Sequence, residues 1–317
     1  MTGYIIRRLI GSAVVLALLT IIVFSIIRAM PGDALMIKLG ETGRIPEAQM
    51  EELRAEMGLD DPLPAQYANW ILGIVRLDFG ESLLYDDRDV LSFILRALPV
   101  TAQLAFLSIL VGLTVGLTMG TLSAVYRNSA IDYIARVVGI FGLSAPIFWL
   151  ALIVILYGAL WFDISVNQPY VRLWEDPLAN LRIHIVPASI LGLNLGAVIM
   201  RYTRSAMLEV LRQDYMRTAT AKGLPGRRVI TRHGLRNAFI PIITLIGTQA
   251  AFLLSGSVII EFIFRYPGLG LITYEAILTR DYTVIQGATL VIGTVVVTIN
   301  LVVDLAYGAL DPRVHYS

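Results

Sequence analysis

Asp214-Tyr-Met-Arg-Thr-Ala-Thr-Ala-Lys-Gly223 lies at the middle of a segment, Arg201 to Arg236, that carries nine bases against two acids between two long uncharged runs. Bases beside membrane spans are retained on the cytoplasmic side, so this loop is predicted to face the cytoplasm. The ten residues themselves read as a short helix with a built-in stop. Asp214 and Arg217 stand at i, i+3 and can pair. Lys222 falls in the last turn, where a cation complements the helix dipole. Gly223 suits the left-handed conformation that ends a helix, and Pro225 blocks continuation. Leu211, Tyr215 and Ala219 form one narrow apolar stripe at i, i+4, i+8.

Outward from this loop the chain is apolar. It has 317 residues, 56% hydrophobic and only 15% charged, too apolar for a soluble domain of this size. Six uncharged runs approach or exceed the roughly 20 residues that a helix needs to cross a bilayer: Leu9–Ile27, Ala97–Tyr126, Val137–Phe162, Ile183–Met200, Asn237–Ile260 and Tyr282–Val303. The first, preceded by Arg7 and Arg8, is read as a retained helix, since it is longer than a signal core and lacks a small-x-small cleavage site. Arg7 and Arg8 hold the N-terminus inside, and six crossings return the C-terminus to the same side. Arg127 and Arg136, between the second and third runs, fall inside as well. Residues 31–96, predicted outside, carry thirteen acids and six bases.

That outer insert reads as a small helical region. A helix is predicted from Pro46, with Met50, Leu53 and Met57 on one face and Gly58 as its stop. A second is predicted from Pro64, with Leu63, Tyr67, Trp70, Ile71 and Ile74 at helical spacing. These faces suit packing on each other and on the membrane surface, and leave the remainder for an extracellular partner. Within the spans, Gly112, Gly116 and Gly120 recur every four residues, the spacing that lets membrane helices approach closely. Gln103, Asn194, Gln249 and Asn300 are polar groups that must face protein or a watery path. None of the six runs holds an Asp, Glu, Lys or Arg, which weighs against an ion-coupled or proton-relay mechanism.

The absence of cysteine excludes disulfides and thiolate chemistry, and three scattered histidines, His184, His233 and His315, form no metal-ligand spacing. There is no G-x-x-x-x-G-K-[ST], hence no phosphate-cradling loop. Small residues Thr218, Ala219 and Ala221 suit a protein groove better than lipid, where bulky apolar residues are favoured. The loop therefore reads as the grip of a transport subunit driven from outside itself. An intramembrane hydrolase would have to pair His184 with Ser144, Ser255 or Ser257. A one-chain secondary transporter would show internal repeats and mid-membrane charges, and neither is seen.

The residues resemble a known family, the B-type permease subunits of peptide/nickel ABC importers. The resemblance runs through Tyr4-Ile-Ile-Arg-Arg8, Pro31-Gly-Asp33, Met57-Gly-Leu-Asp-Asp-Pro-Leu-Pro-Ala-Gln-Tyr67, Leu77-Asp-Phe-Gly-Glu-Ser82, Arg217-Thr-Ala-Thr-Ala-Lys-Gly223, His233-Gly-Leu-Arg-Asn-Ala238 with Pro241, Glu261-Phe-Ile-Phe-Arg-Tyr-Pro-Gly-Leu-Gly270, Arg280-Asp-Tyr282 and Leu310-Asp-Pro-Arg313. Arg217 and Thr218 replace the Glu and Ala of the general importer signature, and the gap from Gly223 to Pro241 is longer, both features of this branch. The resemblance implies an all-α polytopic membrane protein with six transmembrane helices and the type I ABC importer permease fold. It would comprise an N-terminal helix (1–28), an extracytoplasmic insert (29–96) and a five-helix core (97–317) with a coupling loop at 201–236. It assigns ATPase coupling to Asp214, Tyr215, Arg217, Thr218, Ala219, Lys222 and Gly223. The implied partners are a C-type permease, two cytoplasmic ATPases that bind ATP and Mg, and an extracytoplasmic binding protein. The chain itself would be non-catalytic. Peptides are the implied substrate, with nickel chelates or oligosaccharides as the alternative.

Overall fold

The computed structural model describes residues 2–29, 60–82, 89–162 and 169–310. The predicted helix from Pro46, the Pro31-Gly-Asp33 segment, His315 and the chain's last motif beyond Leu310 lie outside these residues. The chain is helical: α1 (Thr2–Ala29), α2 (Leu63–Val75), α3 (Val90–Val125), α4 (Ala130–Ser144), α5 (Ile147–Phe162), α6 (Pro177–Val210), α7 (Asp214–Ala221), α8 (Arg236–Phe264), α9 (Leu269–Thr279) and α10 (Tyr282–Leu310). A single turn at Gly226–Arg228 and a π-helical segment, Val229–Leu235, lead into α8. Among the described residues four helices are long and apolar enough to cross a membrane, or six if each of two bent pairs is one span.

The expected single span Val137–Phe162 is one of these bent pairs. Its helices α4 and α5 meet at 101°. Pro146 has no N–H to donate and disfavours helix at the residue before it. Ala145 accordingly sits at φ −73°, ψ 123°, and the helix stops. The short run Ile183–Met200, by contrast, is the middle of the 34-residue α6. Asp176 caps it, accepting from the backbone N–H groups of Leu178 and Ala179 at 3.0 Å each, with Pro177 in the first turn where its missing N–H costs nothing.

The chain divides into two compact units. One comprises Ile6–Thr101 and Pro267–Thr298. Its core gathers Phe79, Val90, Ile94, Ala97, Leu269 and Ile285. The predicted second insert helix is α2, and it packs on α1: Tyr67 meets Phe24 edge-on at 5.4 Å, and the Tyr67 hydroxyl lies 2.8 Å from Thr20 Oγ1. α9, unforeseen in the sequence, has 11 residues, too few to span. It begins where Leu269 N–H donates to Thr101 Oγ1 at 2.8 Å and ends at Arg280, φ +57°. Asp281 then opens α10, accepting from Ser82 Oγ and from Val284 N–H.

The other unit comprises Met1–Ile5, Ala102–Tyr266 and Ile299–Ser317. Here α3 and α6 approach along glycines from both sides. A Cβ on Gly112 would stand 2.8 Å from Leu195 Cγ, on Gly116 2.6 Å from Ile199 Cβ, and on Gly120 2.7 Å from Met200 O. Gly192 and Gly196 answer from α6, and a Cβ on Gly192 would stand 2.8 Å from Ser108 O. Of the polar span residues, Asn194 Nδ2 donates to Gly142 O at 2.8 Å, and Gln103 donates to Asn180 Oδ1. Gln249 and Asn194 share a cavity of about 30 Å³ with apolar neighbours, room for a single water by size. Asn300 is exposed.

Candidate functional site

Asp214–Ala221 forms α7, which rests on a small apolar foot. Met216 and Ala219 are buried against Val229 of the π-helical segment, with Val210, Leu211 and Leu224 partly buried around them. Gly234 lets this happen, since its missing side chain leaves space that the methyl ends of Met207 and Met216 occupy: a Cβ would meet them at 3.2 and 3.5 Å. Burying Met216 and Val229 contributes about 1.5–3 kcal/mol each. The packed stripe is therefore Met216 and Ala219, not the predicted Leu211, Tyr215 and Ala219. The helix starts at Asp214, later than the stripe assumed. Tyr215 turns outward, 42% exposed, while Leu211 stays on the foot from the preceding turn.

Of the seven residues predicted to couple, Asp214, Tyr215, Arg217, Thr218, Lys222 and Gly223 are exposed, whereas Ala219 is inside the foot. Arg217 Nη1 lies 3.8 Å from Asp214 Oδ1 with both side chains largely in solvent, a pair worth little by itself. Lys222 caps the helix, and Gly223 follows at φ +74°. Gly223 N–H donates to Thr220 O at 3.0 Å, and Pro225 then caps the next turn. Nothing lies within 4 Å of a Cβ built on Gly223. The exposed edge of α7 is thus polar and small, presented on a rigid base.

Sequence reading missed a buried ion pair on the neighbouring helices. Asp132 of α4 is fully buried, and Arg204 of α6 grips it with two charge-assisted bonds, Nε to Oδ1 at 2.9 Å and Nη2 to Oδ2 at 3.0 Å. Ser123 Oγ donates to Oδ1 at 2.6 Å and Asn128 N–H to Oδ2 at 3.0 Å, the latter from a residue at φ +63°. Ser123 is in the last turn of α3 and Asn128 in the α3–α4 turn, so the pair ties α3, α4 and α6 together. The only signal was an Asp in the first turn of an apolar helix, and its partner stands 72 residues away.

At the other end of α6, His184 is fully buried between Tyr266, at 5.0 Å ring to ring, and Tyr170, at 5.9 Å. Its Nδ1 lies 2.8 Å from Asn180 O. A carbonyl only accepts, so Nδ1 carries a proton, while buried Nε2 has no hydrogen-bond partner among the described residues. Tyr266 donates its hydroxyl to Ile183 O, and burial pushes the phenols of Tyr170 and Tyr266 up. Among the described side chains neither Ser144 nor Ser257 is paired with His184 as a hydrolase would need. Ser257 Oγ donates to Glu261 at 2.9 Å, Ser144 is exposed, and no described serine bonds His184. The Ser255 side chain lies outside the described set. Glu261 itself, just past the fifth uncharged run, is fully buried.

Helices of spanning length, a close glycine seam between α3 and α6 and an exposed polar helix fit a membrane transport subunit. Residues 112–316 match the family of binding-protein-dependent transport system inner membrane components, and residues 1–105 match the N-terminal region of such membrane components. The chain is 39% identical to a putative peptide permease protein of Brucella suis biovar 1 over 97% of each chain. It is 38% identical to the oligopeptide transport system permease protein AppB of Bacillus subtilis over all of both chains. The dipeptide transport system permease protein DppB of Bacillus subtilis is 37% identical over 99% of this chain and 98% of that one. Among solved structures it resembles the MetNI methionine ABC transporter, in inward-facing conformations, with TM-score 0.56 and 18% identity over 69% of this chain and 96% of that one. The chain belongs to the binding-protein-dependent transport system inner membrane component family. It is a multi-pass, non-catalytic permease subunit with the importer permease fold expected from its sequence.

Proposed function

We propose that this permease imports peptides and that α7 is the helix through which it is driven. The peptide assignment rests on the relatives named as peptide, oligopeptide and dipeptide permeases, at 37–39% identity over nearly the whole chain. The coupling assignment rests on one observation: α7 exposes Asp214, Tyr215, Arg217, Thr218, Lys222 and Gly223 while Met216 and Ala219 anchor it. A load applied to the exposed edge is carried through the foot to α6 and α8. Ala219 then acts as part of the anchor.

In this reading two cytoplasmic ATPase subunits, which bind ATP and Mg, receive α7 in a cleft. A C-type permease forms the other half of the path, and an extracytoplasmic binding protein delivers the peptide. Both termini and the basic segment 201–236 face the cytoplasm, consistent with the clustering of bases there. The chain divides into the N-terminal helix (1–28), the outer insert (29–96) and the core (97–317). The test is a cysteine placed at Thr218, which meets a cysteine-free background. Cross-linking to an ATPase subunit in the assembled complex, together with peptide-loaded binding protein stimulating ATP hydrolysis, is the expected result. Failure of any ATPase cross-link from positions 214–223 would remove the coupling role.

A further inference from the structure

A cavity of about 790 Å³ opens between α4 and α6, beside the Asp132–Arg204 pair. Five arginines border it: Arg127, Arg136, Arg201, Arg204 and Arg212, against one acid, Glu209. Arg204 is spent on Asp132, and Arg136 Nε lies 3.4 Å from the same carboxylate. Among the described residues Arg127 and Arg212 have no carboxylate partner, and both are exposed at the rim with Arg201. Behind the rim the wall turns apolar. Gly139, Ala197 and Met200 are buried in it, and Ile140 and Leu143 line it from α4.

We propose that this cavity is a binding site for an anionic phospholipid, with the headgroup phosphate on Arg127, Arg201 and Arg212 and acyl chain along Ile140, Leu143 and Met200. Two features select a lipid over a free anion. The volume lies in the range of roughly 300–1,000 Å³ that suits an organic ligand, and an inorganic phosphate would leave the apolar wall wetted. Basic pockets between spans at a membrane face are suited to acidic headgroups, and an arginine can bond phosphate in a bidentate fork. The lipid would tie the α3–α4 turn to Arg212, which lies between α6 and α7 and immediately precedes Gln213, the N-cap of α7. In the orientation proposed above this is the inner leaflet, and that part rests on that reading.

The test uses the assembled transporter in nanodiscs of phosphatidylcholine mixed with phosphatidylglycerol, with retained lipid read by native mass spectrometry. Wild type is expected to retain phosphatidylglycerol selectively. Arg127→Gln with Arg212→Gln removes two unpaired cations and is expected to weaken retention about thirty-fold. Arg127→Lys with Arg212→Lys is expected to keep most of it. Arg227→Gln with Arg228→Gln, the same charge change outside the cavity, should leave retention as in wild type. Equal loss in that control, equal retention of phosphatidylcholine, or occupancy by inorganic phosphate as tight as by lipid would each overturn the proposal. So would disulfide capture of the second permease subunit by Leu143→Cys, because protein would then fill the cavity. Labelling of Ser205→Cys by an impermeant maleimide reads the leaflet separately: labelling from outside would end the orientation and leave the lipid site standing.

Discussion

Gly223 holds φ at +74° with open space where a side chain would go, so its requirement is one of backbone and not of room. A β-branched residue at that φ carries roughly 1–3 kcal/mol of strain, whereas Asn tolerates it. Gly223→Val is expected to insert in the membrane yet lose most binding-protein-stimulated ATPase activity and uptake, and Gly223→Asn to retain them. Uptake by the valine variant at the wild-type rate would refute the coupling role. The Asp132–Arg204 pair makes a different demand. Arg204→Met strands a buried carboxylate and is expected to destabilise the protein by about 3–5 kcal/mol, read as a lower unfolding midpoint of the purified complex. Asp132→Asn combined with Arg204→Met should recover part of that loss. The left-handed turn at Gly223 was legible because it depends on immediate neighbours. Asp132 was not, because its meaning is set by a residue on another helix.

At the scale of elements, helix seams depend on which small residues face each other. The repeat Gly112, Gly116, Gly120 was readable, but Gly192 and Gly196 acquire significance only when α6 is laid against α3. Gly116→Ala places its methyl carbon 2.6 Å from Ile199 Cβ and 2.8 Å from Gly196 O. The expected cost is about 1–3 kcal/mol, with a lower thermal midpoint in detergent, while Gly11→Ala, in open space, should show none. A midpoint unchanged in the Gly116 variant would contradict the seam. The foot of α7 obeys the same logic. Met216 is buried because the π-helical segment turns Val229 and Gly234 toward it, and periodicity within α7 alone points to Tyr215 instead.

For the whole molecule, the insert that holds α2, outside in the proposed orientation, offers a test of partner docking. α2 packs Tyr67 on Phe24 but leaves Leu72 and Val75 at 53% and 76% exposed. Apolar residues exposed together at a membrane-flanking helix mark an interaction surface or lipid contact. If the binding protein docks there, Leu72→Glu with Val75→Glu should cut stimulation of ATP hydrolysis by loaded binding protein several-fold without altering the basal rate. Unchanged stimulation would place docking elsewhere. The permease has no phosphate loop of its own, so reconstitution without ATPase subunits is expected to yield no uptake, measured with labelled peptide in proteoliposomes.

The order of spans, the basic loop and its glycine-terminated helix were determined by sequence alone, because hydropathy, charge and helix-end chemistry act over a few neighbouring residues. The break at Pro146 was local too, but its 101° size is seen only in the structure, where α4 and α5 each lie against α6. Only the tertiary structure decided that Ala219 is an anchor, that Arg204 neutralises Asp132, and that unpaired arginines frame an apolar cavity. Those are relations between residues far apart in the chain. A side chain's partner, and therefore whether its charge is spent or available, is fixed only when helices meet.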